Sequence, residues 1–283
     1  MLGAQPGVLD GGEMALFWRD AARGNTCACG EPLTSCELWG AALRRVQTEL
    51  GVTPSDYQAL ARERARISRT TRPLRLIAMR RKPATWTASE QRLIEATSLL
   101  IDAALDEAGA EVLVDTSKTL PALLFQQLTP QRPLTLVHLI RDARAVVAST
   151  VRSRAVVRGN DESLPPGGSL TTAIGRWLWS NLTATIGRRM LRTGRKVRYE
   201  ALMASPEAVV RSICQDAGIA YDPATLVGDE LRSNTPSHAA VGNPRRGAAV
   251  TQLVADERWR TELPRSSQHL VRAATWPLDT VLR

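Results

Sequence analysis

Apolar positions along this chain fall into two rhythms, and the alternation between them predicts the architecture. GVLDGGE at 7–13 has the pattern of a short strand ending in a Gly-rich turn, and EVLVD at 111–115 and KVRYE at 196–200 predict two more strands. Leu134, Leu136, Val137, Leu139 and Ile140 form an almost unbroken apolar run, which predicts a strand buried on both faces. Between these lie helical patterns. Residues 37–67 are helical in pattern and grow basic towards their end. Thr87-Ala-Ser-Glu90 is a capping box opening a helix that Gly109 closes, and another helix starts at Leu120. Asp142 is an N-cap for a helix through Val151, a further helix runs from Thr171 to about Arg192, and Ser205-Pro206-Glu207 opens one ending at Gly218. Residues 159–170 are turn-rich, and the last sixty residues read as polar and loop-rich. Strands alternating with helices imply a parallel sheet covered by helices on both faces. Ligands of such sheets bind beyond the carboxyl ends of the strands, where Glu13, Lys118 and Arg141 all fall.

The segment Leu134 to Thr150 carries the clearest chemistry. Arg141 ends a strand, and Ser149 lies seven residues past the N-cap Asp142, two helical turns on and therefore on the same face. An arginine at a strand end and a hydroxyl on the next helix can grip one anion from two sides. A net charge of +9 also favours anionic partners. The basic residues are spread along the chain and only five residues are Phe or Tyr, so nucleic acid is not the expected partner; a small polyanion suffices. No run of eighteen apolar residues predicts a membrane span, and the N-terminus lacks the pattern of a signal peptide. Four cysteines without such a signal suggest a reducing, cytoplasmic setting.

Arg141-Asp-x-Arg, with Ser149 eight residues after the first Arg, resembles the 3′-phosphate-binding motif of sulfotransferases that use 3′-phosphoadenosine 5′-phosphosulfate (PAPS). Further segments extend the likeness to the bacterial type of that family. Leu2 to Glu13 is similar to the end of its first helix and its second strand, after which a Glu often serves as general base; this maps to Glu13. Val114-Asp-Thr-Ser-Lys118 is similar to a family segment whose Lys stabilises the transferring sulfuryl group, here Lys118. Arg198-Tyr-Glu200 with Pro206 to Gly218 matches a strand and helix read as structural. Gly242-Asn-Pro-Arg-Arg246 with Asp256-Glu-Arg-Trp259 is similar to the C-terminal loop that closes over the donor, making Arg245 and Arg246 candidates for its 3′-phosphate or adenine.

The resemblance implies a single domain over 1–283, with a P-loop-NTPase-like three-layer α/β/α fold and a parallel sheet. It implies PAPS as donor, no metal, and a small-molecule, glycan or peptide hydroxyl (or an amine) as acceptor. The acceptor and the oligomeric state cannot be read from the sequence. Trp177 and Trp179, at helical spacing among Ile174, Leu178 and Leu182, are expected in the core rather than on adenine. The basic segment 62–82 either faces the acceptor or forms a solvated helix.

Two features run against the resemblance or stand outside it. The family's Gly-x-x-Arg-Ser-Gly-Ser/Thr loop, which cradles the 5′-phosphosulfate after the first, central strand, does not occur in the 283 residues. The expectation is therefore a record lacking an upstream strand and loop of roughly fifteen residues. Rival readings are a non-catalytic nucleotide-binding protein and a P-loop nucleotide kinase, although no Gly-x-x-x-x-Gly-Lys-Ser/Thr run occurs. Cys27-x-Cys29-Gly with Cys36 offers three sulfurs but no Cys-x-x-Cys pair. His138, His238 and His269 all lie far away in sequence, so no metal site is expected.

Overall fold

The computed structural model describes all residues except 69–72, 129–132, 161–168, 192–193, 233–236, 241–249 and 283. The strands are β1 (Val8–Gly12), β2 (Val112–Asp115), β3 (Val137–Ile140), β4 (Arg195–Arg198), β5 (Leu226–Val227), β6 (Glu230–Arg232) and β7 (Val250–Gln252). The helices are α1 (Phe17–Ala22), α2 (Glu37–Leu50), α3 (Tyr57–Ile67), α4 (Pro73–Arg81), α5 (Ala88–Ala108), α6 (Leu120–Gln126), α7 (Ala143–Asn160), α8 (Leu170–Leu191), α9 (Tyr199–Ala204), α10 (Pro206–Ala217), α11 (Trp259–Glu262) and α12 (Arg265–Leu282). The chain divides into two compact units, one comprising Met1–Leu134 with Val210–Gln252, the other Thr135–Val209 with Leu253–Arg283.

In the first unit β1 and β2 pair in parallel, Val8 against Val112 through Gly12 against Asp115, and the register slips between Asp10 and Gly12. Gly12 takes a positive φ of 69° there, a conformation costly for any residue with a Cβ, and this turns the chain out of the strand towards Glu13. An antiparallel ribbon of β5, β6 and β7 completes the unit's strands. Its core is aromatic. Phe17 packs against Trp18 and Trp39, Trp18 packs against Tyr57, and the Trp18 Nε1–H donates to Thr97 Oγ1 on α5 at 2.9 Å.

The capping box at the start of α5 forms as expected, with Thr87 Oγ1 accepting from the Glu90 N–H and Glu90 Oε2 accepting from the Thr87 N–H. Glu90 does more than cap. Its side chain is fully buried and accepts from the guanidiniums of Arg66 and Arg75. Arg64, on the same basic stretch, is buried with its guanidinium 4.0 Å above the Phe125 ring. Arg64, Arg66 and Arg75 thus pack against the rest of the unit, whereas Arg62, Arg80 and Lys82 are exposed. The helical pattern over 37–67 breaks at Gly51, whose left-handed conformation ends α2 before Thr53 and Asp56 restart the chain.

In the second unit β3 and β4 pair in parallel, Val137 against Arg195 through Ile140 against Arg198. Helices α7, α8, α11 and α12 close a core containing Ile140, Val147, Ile174, Trp177, Trp259, Val271 and Leu282. One expectation fails here, and one holds in part. Leu139, expected inside a strand covered on both faces, is 51% exposed. Among the described residues β3 has one strand neighbour and β2 has one, so the parallel pairing forms two two-stranded sheets rather than one continuous sheet. The C-terminal stretch read as loop holds the 18-residue α12, whose apolar face (Val271, Leu278, Leu282) is obscured in the sequence by Pro277 inside the helix.

Candidate functional site

Glu13 and Lys118, 105 residues apart in sequence, come together at the carboxyl ends of β1 and β2. The Lys118 ammonium donates to Glu13 Oε1 at 2.5 Å, with Lys118 76% and Glu13 24% exposed. Parallel strands place their following turns side by side, and these two turns are cross-tied. Asp115 Oδ1 accepts from the Met14 and Ser117 N–H groups, Ser117 Oγ accepts from the Ala15 N–H, and Asp115 Oδ2 accepts from Gln126 Nε2. Thr119 caps α6 immediately after Lys118 by accepting from the Ala122 N–H. A carboxylate and an ammonium held on a rigid double turn can exchange a proton and stabilise developing negative charge.

The second unit places Arg141 just after β3 and Ser149 within α7, two turns beyond Asp142. Asp142 is the N-cap, its Oδ1 accepting from the Arg144 N–H at 2.8 Å while both its oxygens bind the Arg144 guanidinium. Burial pushes the Asp142 carboxyl up, but the hydrogen bonds and charge of Arg144 outweigh it and hold the group below the usual carboxylate range. Arg141 stacks with its guanidinium 4.5 Å above the Tyr199 ring and donates to the Asp256 carbonyl oxygen at 2.6 Å, while the Trp177 Nε1–H donates to the Arg141 carbonyl oxygen. Ser149 is half-buried, and its hydroxyl has no partner among the described residues.

Around Arg141 one carboxylate is shared among several arginines. The Asp256 carboxylate lies 2.7 Å from Arg258, 3.4 Å from Arg141 and 3.8 Å from Arg152, and Arg152 also binds Glu262. Arg258 first, and then Arg141, hold the Asp256 carboxyl well below its ordinary range. Asp256 is thus shared among three guanidiniums, which gather on one edge of the unit.

The sequence reading missed several of these partners. Tyr199 and Glu200 belong to a segment taken as structural, yet Tyr199 supports Arg141 and Glu200 Oε1 accepts from the Asp142 N–H at 2.9 Å. Asp256 had been singled out only as part of a closing loop. The two tryptophans separate: Trp177 is core, whereas Trp179 is 53% exposed in an apolar groove with Leu182 and Val281. Arg245 and Arg246 lie outside the described residues.

Sequence distance does not keep His238 from the cysteines, because the fold brings it to them. His238 reaches the cysteine segment across some two hundred residues, and the ligand atoms of Cys27, Cys29, Cys36 and His238 all lie within 4.8 Å of one another.

No family model matches the chain, and no curated protein matches it. Among solved structures, the chain is similar to the sulfotransferase domain from the curacin biosynthetic pathway, with a TM-score of 0.51 and 13% identity over 96% of this chain and 89% of that one. At this identity the likeness concerns the backbone arrangement. The chain has a mixed α/β fold of the sulfotransferase kind.

Proposed function

We propose that the protein is a PAPS-dependent sulfotransferase acting on a hydroxyl or amine acceptor. The observation that carries this reading is the Glu13–Lys118 pair: two residues assigned from separate sequence segments meet at the strand ends where such chemistry is done. In this reading Arg141 and Ser149 hold the donor's 3′-phosphate, with Arg152 and Arg258 close by on the shared Asp256. Glu13 takes the proton of the acceptor as its oxygen attacks sulfur. The sulfur–oxygen bond to the nucleotide breaks and adenosine 3′,5′-bisphosphate leaves. Lys118, long and exposed, turns from Glu13 to the sulfuryl or bridging oxygens and stabilises the charge that develops there.

The rival is a protein that binds the bisphosphate without transferring sulfate. Sulfate-labelled PAPS incubated with the protein and a panel of phenolic, alkyl and sugar hydroxyl acceptors separates the two. Labelled product, lost in Lys118→Ala, supports the enzyme. Saturable bisphosphate binding without product across the panel supports the second reading, and no binding at all sinks both.

A further inference from the structure

We infer that Cys27, Cys29, Cys36 and His238 form a structural zinc site, independent of the sulfotransferase reading. Three of the six ligand–ligand distances are close to the edges of a zinc tetrahedron, and all six are within 4.8 Å. With Zn–S near 2.3 Å and Zn–N near 2.0–2.1 Å, tetrahedral edges are about 3.8 Å between sulfurs and about 3.6 Å between sulfur and nitrogen. Cys29 Sγ lies 3.7 Å from Cys36 Sγ, and His238 Nδ1 lies 3.3 Å from Cys36 Sγ and 3.8 Å from Cys27 Sγ. Three separate pieces of backbone converge to make this happen, and each is pinned by its own hydrogen bonds.

Cys27 and Cys29 sit on a tight turn, with the Gly30 N–H donating to the Cys27 carbonyl and the Cys27 N–H to the Glu31 carbonyl. Gly30 adopts a φ of 96°, which closes the turn back towards Cys36. Cys36 is the N-cap of the 14-residue α2, which fixes its position beside the turn. The 238–240 segment is clamped from three sides. The Trp39 Nε1–H donates to the His238 carbonyl at 2.5 Å, the Ala28 N–H to the Ala239 carbonyl at 3.1 Å, and the Ala240 N–H to the Gly11 carbonyl at 3.3 Å.

Three sulfurs and one imidazole nitrogen select zinc among the common divalent ions, and four protein ligands leave no open position for chemistry. Binding releases three thiol protons and leaves a centre of net charge −1 with neutral His238. Because Cys27 and Cys36 are buried, the cation offsets the cost of placing two thiolates there. The consequence reaches the candidate site: the centre staples the 238–240 segment against Gly11, two residues before Glu13.

The test uses the full chain, purified after growth with added zinc and desalted into metal-free buffer. Elemental analysis is expected to find about one zinc per chain in the wild type and in the control Cys214→Ser. Cys29→Ser and His238→Ala, which alter an exposed and a half-buried ligand, are expected to lose most of it. If either variant fails to fold, mercurial titration of the wild type decides: zinc release must track modification of three thiols, and cobalt(II) put in its place must show the intense absorption of tetrahedral thiolate coordination. A zinc-free wild type, a Cys29–Cys36 disulfide, or full zinc retention in both variants overturns the site.

Discussion

Replacing Glu90 by alanine should destabilise the first unit by about 3 kcal/mol. Glu90 Oε1 accepts from Arg66 at 2.9 Å and from Arg75 at 2.5 Å, and Oε2 accepts from the Thr87 N–H at 2.8 Å. A hydrogen bond to a charged group contributes about 1.5–3 kcal/mol when fully shielded. Both arginines are 36% exposed, so water recovers much of their loss, and about 1 kcal/mol per pair is the appropriate figure. The orphaned Thr87 N–H adds about 1 kcal/mol. At roughly 2–4 °C per kcal/mol, thermal melts followed by circular dichroism at neutral pH should drop by about 6–12 °C. Glu90→Gln, which keeps an acceptor for Thr87, should lose about two-thirds of that.

The pH dependence has a defined sign. Arg75 and Arg66, with the Thr87 N–H, hold the buried Glu90 carboxyl below its ordinary value, against the upward push of burial. Its contribution is therefore complete above the unfolded value of about 4.3 and is lost as pH falls through the lower folded value. The gap between wild type and Glu90→Gln should narrow only on the acid side of that range. A Glu90→Ala melt within about 2 °C of wild type would refute the assignment of Glu90 as the keystone of the arginine segment.

Other substitutions probe the two candidate clusters. Lys118→Ala and Glu13→Gln should each lower sulfate transfer by about 10²–10³-fold with bisphosphate affinity little changed; parallel loss of affinity would point to a purely structural pair. Tyr199→Leu removes the ring beneath Arg141 and should weaken bisphosphate binding about 2–5-fold, in line with a cation–π contact of about 0.5–1 kcal/mol, read by calorimetric titration. Asp256→Asn should lower the melting temperature at neutral pH. Because the Asp256 carboxyl is held below its ordinary range, that deficit should persist at pH 5 and fade only below about pH 4.

Much of the local structure was legible because it is encoded locally. The Thr87–Glu90 box and Gly109 frame α5, Asp142 caps α7, and Gly218 follows α10, since capping needs only neighbours in sequence. Parallel strands put Glu13 and Lys118 on one edge and the family resemblance gave each its role, but their ion pair was not legible. What the sequence concealed depends on long-range approach. Nothing near Cys27 announces His238, nothing near Arg141 announces Asp256, and nothing near Arg64 announces the Phe125 ring. The failure over 265–282 had a local cause: a proline inside a helix suggests a break, and tertiary packing of Val271 and Leu282 overrode it.

The most direct test of the proposed function is the affinity of adenosine 3′,5′-bisphosphate for the wild type and for Arg141→Ala, measured by isothermal titration with adenosine 5′-monophosphate as the control lacking the 3′-phosphate. Saturable binding by the wild type, weaker binding of the monophosphate, and a loss of roughly 10–100-fold in Arg141→Ala are predicted, the equivalent of about 1.5–3 kcal/mol for a charged hydrogen bond. Equal affinity of the two proteins, or no preference for the 3′-phosphate, would contradict the account.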